Sequence, residues 1–596
     1  MLFRKGTIFL RRPASSEPVS ATTFTPRRPP PFAVYSPFRI GGANINLAHP
    51  TCLRLLSVGI FSVVALAAYR AEAQIPTTSP VPASLPSPAA LPDLGEIARD
   101  ARPRLAIAGF EADPNGDARD VWIPVAIEEL LARRLQRTGG LLVLPTIRLQ
   151  QARRELSDPA ASAPAWIDVA RGLGATYLLT GLCNGPDNAV VADLTLRRLA
   201  DPATDHRTTL AAARLYETLD AATRWVLDTL AQPPLSDDLA QQIFAPPSRS
   251  YAAVEYYARS VAAARGDQLR EALRYATQCV DYDRRFRPGL TLLAQMESQM
   301  GPSGRGSAMR RWMALSDYAR LEDDPSDRIR AEIGLSLLLQ ADAASDAAAT
   351  RAQTALALAV EQKEIYGQIA AVTALCDVYL LRPLPDDPNT TAESRRDFAL
   401  ESGRQATQWQ ERLVAMLDAL GDTIGSLPAT SKLALIYDRI DRSDDALAAH
   451  RRTLALADKI NSRPHQATAW LYIGHWYRQH ERWAEALDAV SRCLSLAEDA
   501  AKPAVRISLG SVYQAMELSE EALSQYQQAY DQISKTDDLS NQFACLREMA
   551  FIQMKLGRRD KAITVLQDAV DLAHALELRD ESRLRDQLDQ WKKGGT

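Results

Sequence analysis

The sequence predicts an α-solenoid of stacked helical hairpins over residues 251–596, preceded by a small α/β domain at 103–235. Three observations carry this. Past Ser250 the chain is nearly all helix pattern, with apolar residues at helical spacing. Within that stretch a small residue followed twelve positions later by alanine recurs at intervals of 40, 36 and 40 residues, the mark of a repeat array. Before it, short apolar runs alternate with amphipathic stretches, as strands and helices do in one α/β unit.

The composition bounds the rest. The 596 residues are 46% apolar and 24% charged, globular proportions that exclude a disordered, collagenous or many-helix membrane chain. Six cysteines at this length exclude a disulfide-built fold. Cys183, Cys279, Cys376, Cys493 and Cys545 lie far apart among apolar or helix-forming neighbours, without a C-x-x-C, and are expected as small buried thiols. The formal charge of −4 is uneven: up to Ala73 nine basic residues face only Glu17 and Glu72, a net +7, which leaves −11 for the remainder. A body this acidic repels phosphate backbones, so no nucleic-acid partner is expected.

Residues 1–73 read as a leader. The apolar run Leu55 to Ala68 follows Arg39 and Arg54, is shorter than the roughly 20 residues that span a bilayer, and precedes Ala71-Glu72-Ala73, a small-x-small site for signal peptidase. This points to export, to a periplasmic or envelope place in a Gram-negative-type bacterium, with no membrane span after cleavage. The alternative is an uncleaved N-terminal anchor. The Pro- and Arg-rich stretch up to Ala48 is long for a secretory leader; either the leader is extended, or translation starts downstream near Leu47 or Leu53, and the next methionine is Met296. Residues 74–102, with IPTTSPVPASLPSPAALP from Ile75 to Pro92, read as a Pro-rich extended linker.

In the α/β domain, Arg104 to Phe110 suits a buried strand and Val125 to Arg137 a helix, stopped by Gly139-Gly140 before a strand at Leu141 to Leu144. Helices are expected at Thr146 to Leu156 and Pro164 to Leu173. A hairpin of Thr176 to Leu182 and Ala189 to Leu199 follows, turning at Asn184 to Asn188, then a strand near Thr208 to Leu215 and a helix from Leu219 to Leu230. Gly172 and Gly174 follow a helix instead of opening one, which leaves no amide cradle for a phosphate and suggests a turn. Asp113, Asn115 and Asp117 alternate as in a calcium loop, but the glycine is misplaced and the closing Glu is missing, which favours a polar turn. The strand ending at Phe110, the helix around Glu128 to Leu135, and above all Ala170-Arg-Gly-Leu-Gly-Ala-Thr-Tyr-Leu-Leu-Thr-Gly181 make this stretch resemble the amino-terminal domain of the TolB family. That resemblance implies an interaction module without an active site.

Residues 236–250, with Ala245-Pro-Pro-Ser-Arg-Ser250, read as a second linker. In the array, Ala434, Gly474, Gly510 and Ala550 are followed by Ala446, Ala486, Ala522 and Ala562. Leu433, Ile473, Leu509 and Met549 stand one position before the small residue, and Tyr437, Tyr477 and Tyr513 three after; Gln553 breaks that last series. This pattern resembles the tetratricopeptide repeat family, which implies a tetratricopeptide superhelix. The opening unit from Tyr256 to Cys279 is also similar. Between Pro288 and Gly421 the match weakens, though Arg328 to Leu339 and Thr350 to Gln362 keep a paired rhythm and Pro383 to Thr391 is a loop. About eight helix pairs are expected, closed by a charged helix at Glu581 to Lys593. Trp470, Trp476 and Trp483 are expected in packing.

The tetratricopeptide resemblance implies a concave groove lined by the first helix of each pair. Carried onto the clean repeats, the groove residues are Arg439, Tyr472, His475, Arg478, Gln479, Ser511, Gln514, Arg547, Phe551 and Lys555. Their aromatic and basic mixture suits a protein or peptide segment of acidic character; solvated helix faces are the alternative reading. Leu435, His475, Ser511 and Phe551 after the small residues depart from the paired asparagines and lysines of the family's chaperone-tail clamp. His475 and His480 lie about 140° apart on a helix, which opposes a shared metal. No HExxH, P-loop, GxSxG or kinase signature occurs, so neither a cofactor nor catalysis is expected. The function expected is an exported non-catalytic scaffold; the alternative is an envelope sensory component whose α/β domain binds a small ligand and relays it through the repeats.

Overall fold

The computed structural model describes residues 39–40, 43–44, 93–114, 121–156, 165–185, 189–201, 204–384, 391–578 and 580–594. The leader, its cleavage site and the Pro-rich stretch at 75–92 lie outside these, as do Asn115, Asp117, the 186–188 turn and residues 385–390. A two-residue pair, β1 (Arg39–Ile40) and β2 (Ala43–Asn44), stands first. Helix α1 (Leu94–Ala98) follows.

A five-stranded sheet forms the α/β unit. Its strands are β3 (Arg104–Ala112), β4 (Leu142–Val143), β5 (Tyr177–Asn184), β6 (Val190–Arg198) and β7 (Asp205–Ala212), in the order β4-β3-β5-β6-β7. β3 runs parallel to β4 and β5; the other pairs are antiparallel. The apolar run of β3 is explained by cover on both faces. Leu105 and Ile107 meet α2 (Trp122–Arg137) and α5 (Leu215–Thr229) on one side. Ala106 and Ala108 meet α3 (Thr146–Glu155) and α4 (Trp166–Gly172) on the other. This is the strand period of two expressed as two cores. Residues 236–250 carry another helix, α6 (Asp237–Phe244), whose first turn is capped by Ser236 accepting from the Leu239 amide.

Beyond it the array is an α-solenoid of helical hairpins. Among the described residues these are α7 (Tyr251–Arg265) with α8 (Leu269–Tyr282), α9 (Arg287–Gln299) with α10 (Pro302–Leu321), α11 (Pro325–Ala341) with α12 (Ser345–Glu361), and α13 (Ile365–Leu380) with α14 (Ala392–Leu420). They continue with α15 (Thr423–Arg439) and α16 (Ser443–Lys459), α17 (Arg463–Gln479) and α18 (Trp483–Leu496), α19 (Lys502–Ala515) and α20 (Ser519–Ile533), and α21 (Leu539–Lys555) and α22 (Arg559–Ala575). The closing helix α23 (Glu581–Lys593) buries Leu584, Leu588 and Trp591 against the last hairpin.

The small residues sit where the two helices of a hairpin cross. Ala434, Ala550 and the alanines at 446, 486, 522 and 562 have no exposed surface. A Cβ on Gly474 would lie 2.6 Å from Val490 Cγ2, and one on Gly510 3.0 Å from the Tyr526 ring. Two earlier hairpins use the same spacing with serine. Ser260 Oγ donates to the Ala272 carbonyl at 2.7 Å, and Ser336 Oγ to the Ala348 carbonyl at 2.8 Å. The turns share a device too: Arg442, Arg482, Leu518 and Arg558 amides reach back to the carbonyls of Tyr437, Tyr477, Tyr513 and Gln553, each at 2.9 Å. This is the helix-closing bond that requires a left-handed residue. Asp441, Glu481, Glu517 and Gly557 supply it.

The α/β unit is not set apart from the array. One apolar core runs from Leu105, Ile127 and Val226 into Tyr257, Cys279, Phe286 and Leu293. Glu128, only 1% exposed, and Glu129 accept from Arg265 Nη2 at 2.6 and 2.8 Å. Burial raises the Glu128 carboxyl above its usual range, and the Arg265 charge opposes that rise. Asp327 at the start of α11 is held below the usual range, against its burial, by Arg330, Arg133 and Arg287.

A valine at Gly474 would overpack the α17–α18 crossing, with an expected stability cost of about 1–3 kcal/mol in urea unfolding. Gly306→Ala should instead stabilise by roughly 0.5–1 kcal/mol, because that helical position is exposed and its nearest neighbour is the Arg310 guanidinium at 3.8 Å. Unchanged stability in Gly474→Val would contradict the crossing.

Candidate partner-binding groove

The first helices of the last three hairpins, α17, α19 and α21, carry all of the predicted residues except Arg439, which ends α15. Tyr472 stacks on His450 of α16, with ring centroids 4.9 Å apart, and meets the His475 ring edge-on at 6.3 Å. His475 Nε2 lies 3.3 Å from Ser508 Oγ on α19. Ser508 donates its own proton to the Ala504 carbonyl, so it accepts from His475 and fixes the Nε2–H tautomer. The Nδ1 lone pair is then buried without a donor. Burial, with Arg478 and His450 nearby, lowers the His475 pKa to about 4.

Arg478 lies half-buried one turn on, and its Nε has no acceptor. Burial lowers its pKa as well. Further along, Ser511 donates to the Ser508 carbonyl at 2.7 Å, and Gln514 accepts from Tyr526 Oη at 3.2 Å and donates to Glu548 at 3.3 Å. Glu548 also accepts two bonds from Arg547, at 3.0 and 2.8 Å. Phe551 stays 37% exposed, its ring edge-on to Trp591 at 5.3 Å. Gln479 and Lys555 stand in solvent. Arg439 does not join the row: it turns back to the preceding hairpin and donates to the Leu380 carbonyl at 3.1 Å.

Four contributors escaped the sequence reading: His450, Ser508, Tyr526 and Glu548. The signal for two of them was present. Tyr472, Ser508 and Glu548 each stand two positions before a small crossing residue, and that register faces the same wall. Glu548 changes the electrostatics, since it occupies Arg547 and leaves Arg478 and Lys555 as the cations of this wall without a carboxylate among their described bonds.

His475 and His480 face different neighbours. His480 stacks on Trp476 at 3.8 Å with Nδ1 2.9 Å from the Trp476 carbonyl. The described cysteines are all free and buried. The Gly172–Gly174 turn closes on the array: a Cβ on Gly172 would meet Ile424 Cδ1 at 2.5 Å, and one on Gly174 the Leu420 carbonyl at 2.2 Å. A cleft of about 220 Å³ between the two units is lined by Arg102, Gln136 and Leu142 on one side and by Ser326, Lys363 and Tyr366 on the other. Among the described residues no helix is long and apolar enough to cross a membrane.

No family model and no curated protein sequence matches the chain. Among solved structures it is similar to a Signal Transduction ATPase with Numerous Domains (STAND) protein with a tetratricopeptide repeat sensor from Pyrococcus horikoshii, at 12% identity and a TM-score of 0.42. That match covers 63% of this chain and 56% of the other, so it spans little more than half of the STAND protein. A Rap protein complexed with competence and sporulation factor is similar at 15% identity and a TM-score of 0.32, over 57% of this chain and 85% of that one. The apo form of the quorum sensor NprR from B. thuringiensis gives 11%, 0.33, 57% and 97% for the same quantities.

The folded His475 ring titrates near 4, whereas an unfolded histidine titrates near about 6.5. The unfolded chain therefore takes up the proton first as pH falls. His475 contributes stability that is present above about pH 6.5 and is lost towards about pH 4. In urea unfolding across that window His475→Gln should lose stability less steeply than the parent; an identical slope would refute this environment.

Proposed function

We propose that the chain is an exported, non-catalytic scaffold that seats an extended protein or peptide segment of acidic character on the first helices of its C-terminal hairpins. The observation that supports this most is the row from Tyr472 to Phe551, where aromatic and polar groups keep part of their surface exposed and the Arg478 guanidinium has no carboxylate among its described bonds. A carboxylate on the partner would pair with the Nη groups of that guanidinium, and a charged hydrogen bond of this kind is worth about 1.5–3 kcal/mol. An extended chain suits such a wall because its own amides reach Gln514 and Ser511 while its side chains alternate toward Tyr472 and Phe551.

The proposal includes a periplasmic or envelope location, reached through the leader at 1–73, and a TolB-like character for the α/β unit. It assigns no catalytic residue, metal or cofactor. A sensory role is a second reading, favoured by the cleft between the two units, because a small ligand held there would touch both. Thermal stabilisation of the full chain by a metabolite panel tests it. The full chain is required because the α/β core continues into α7–α9.

Crosslinking capture from an envelope fraction tests the groove. The parent chain should retain one dominant partner, and Arg478→Glu with Lys555→Glu should reduce its capture about tenfold or more. Partner recovery unaffected by both reversals would remove the groove assignment.

A further inference from the structure

We propose that the α/β unit is a brace that fixes where the partner groove begins. Its bonds to the array fall at several corners of the coil, one inside the first hairpin and the others where the first helices α11, α13 and α15 start. Arg154 reaches Asp267 at 2.9 Å, in the α7–α8 turn. Arg133 and Arg137 lie 3.4 and 3.5 Å from Asp327 and Asp324, in and just before α11. Gln136 donates to Glu364 at 2.6 Å and Arg102 to the Lys363 carbonyl at 3.0 Å, both in the α12–α13 turn. Arg104 donates to the Leu420 carbonyl at 2.8 Å, at the end of α14. These bonds tie the one small unit to hairpins from the first to the fourth.

The last tie matters most, because the α14–α15 corner opens the half of the array that carries the groove residues. There the fit is steric as well as polar. Gly172 leaves room for Ile424, which is 1% exposed and belongs to the same apolar cluster as Leu149, Val169 and Leu178 of the α/β unit. Gly174, at φ +73°, lets the backbone pass the Leu420 carbonyl. Asp422 is buried in the same seam and caps α15 by accepting from the Gly425 amide at 2.6 Å. The α/β unit therefore holds the first turn of α15 in place, and α15 carries the α17–α21 wall behind it. Packed interfaces of this kind shift between discrete arrangements instead of deforming smoothly, so the seam acts on the groove through the position of one helix.

Hydrogen exchange of the full chain tests the brace without any partner, so its failure is separable from failure of the groove reading on which its consequence for binding rests. Gly172→Leu places a side chain where Ile424 lies, and should speed exchange of the α15 amides about tenfold or more while α21 and α22 keep their rates. Arg104→Ala, which removes one bond and adds no bulk, should show the same pattern with smaller amplitude. Gly306→Ala, on an exposed helix face, should leave α15 unchanged. Unaltered α15 exchange in Gly172→Leu overturns the brace. If Gly172→Leu instead loosens the whole chain, unaltered α15 exchange in Arg104→Ala overturns it.

Discussion

The array depends on the close crossing of the two helices in each hairpin. A helix pair in this chain is too short to bury its apolar stripe alone, so each must approach its mate closely enough to offer a continuous surface to the next. At Gly474 and Gly510 a methyl group would crowd the Val490 and Tyr526 side chains, at 2.6 and 3.0 Å, and would fit only if they shifted. At Ser260 and Ser336 there is room for one hydroxyl, provided it bonds the facing carbonyl. Both solutions keep the helices near, and the second also satisfies a polar atom that burial would otherwise penalise.

The joint between the α/β unit and the array follows from the same need for cover. The sheet leaves α2 with an apolar face and an acidic one. The apolar face continues into α7–α9, and the acidic one meets Arg265. Neither side is at ease alone, since Glu128 without Arg265 would be a buried carboxylate without its cation, a state that costs several kcal/mol in proteins generally. The two units are best regarded as one folded body with two surfaces, a docked edge and a free inner wall.

How much of this was legible in the sequence can be judged residue by residue. The small residue and its alanine twelve positions later located four hairpins, because a steric demand leaves a compositional trace. The same spacing at Ser260–Ala272 and Ser336–Ala348 went unread, since serine meets that demand by a hydrogen bond that composition does not display. The strands and helices of the α/β unit were legible from their periods. Gly172 and Gly174 suggested only a turn; their contacts lie about 250 residues away in the chain, beyond any local pattern. The expected residues lie along the first helices of the last hairpins, and Arg439 bonds the Leu380 carbonyl of the preceding hairpin, a contact between repeats that no local pattern displays. Ser508 and Glu548 share with Tyr472 the position two before the small residue, but a serine and a glutamate there look like ordinary solvated helix residues until their bonds to His475 and Gln514 are seen.

These strands meet in one claim, that the inner wall of the C-terminal hairpins is the surface a partner reads. A photo-crosslinking side chain placed at Ser511, on the inner helix α19, or at Gln528, on the exposed face of α20, tests it most directly. The account predicts a crosslinked partner segment from position 511 and none from position 528. Crosslinking from position 528 alone would contradict it.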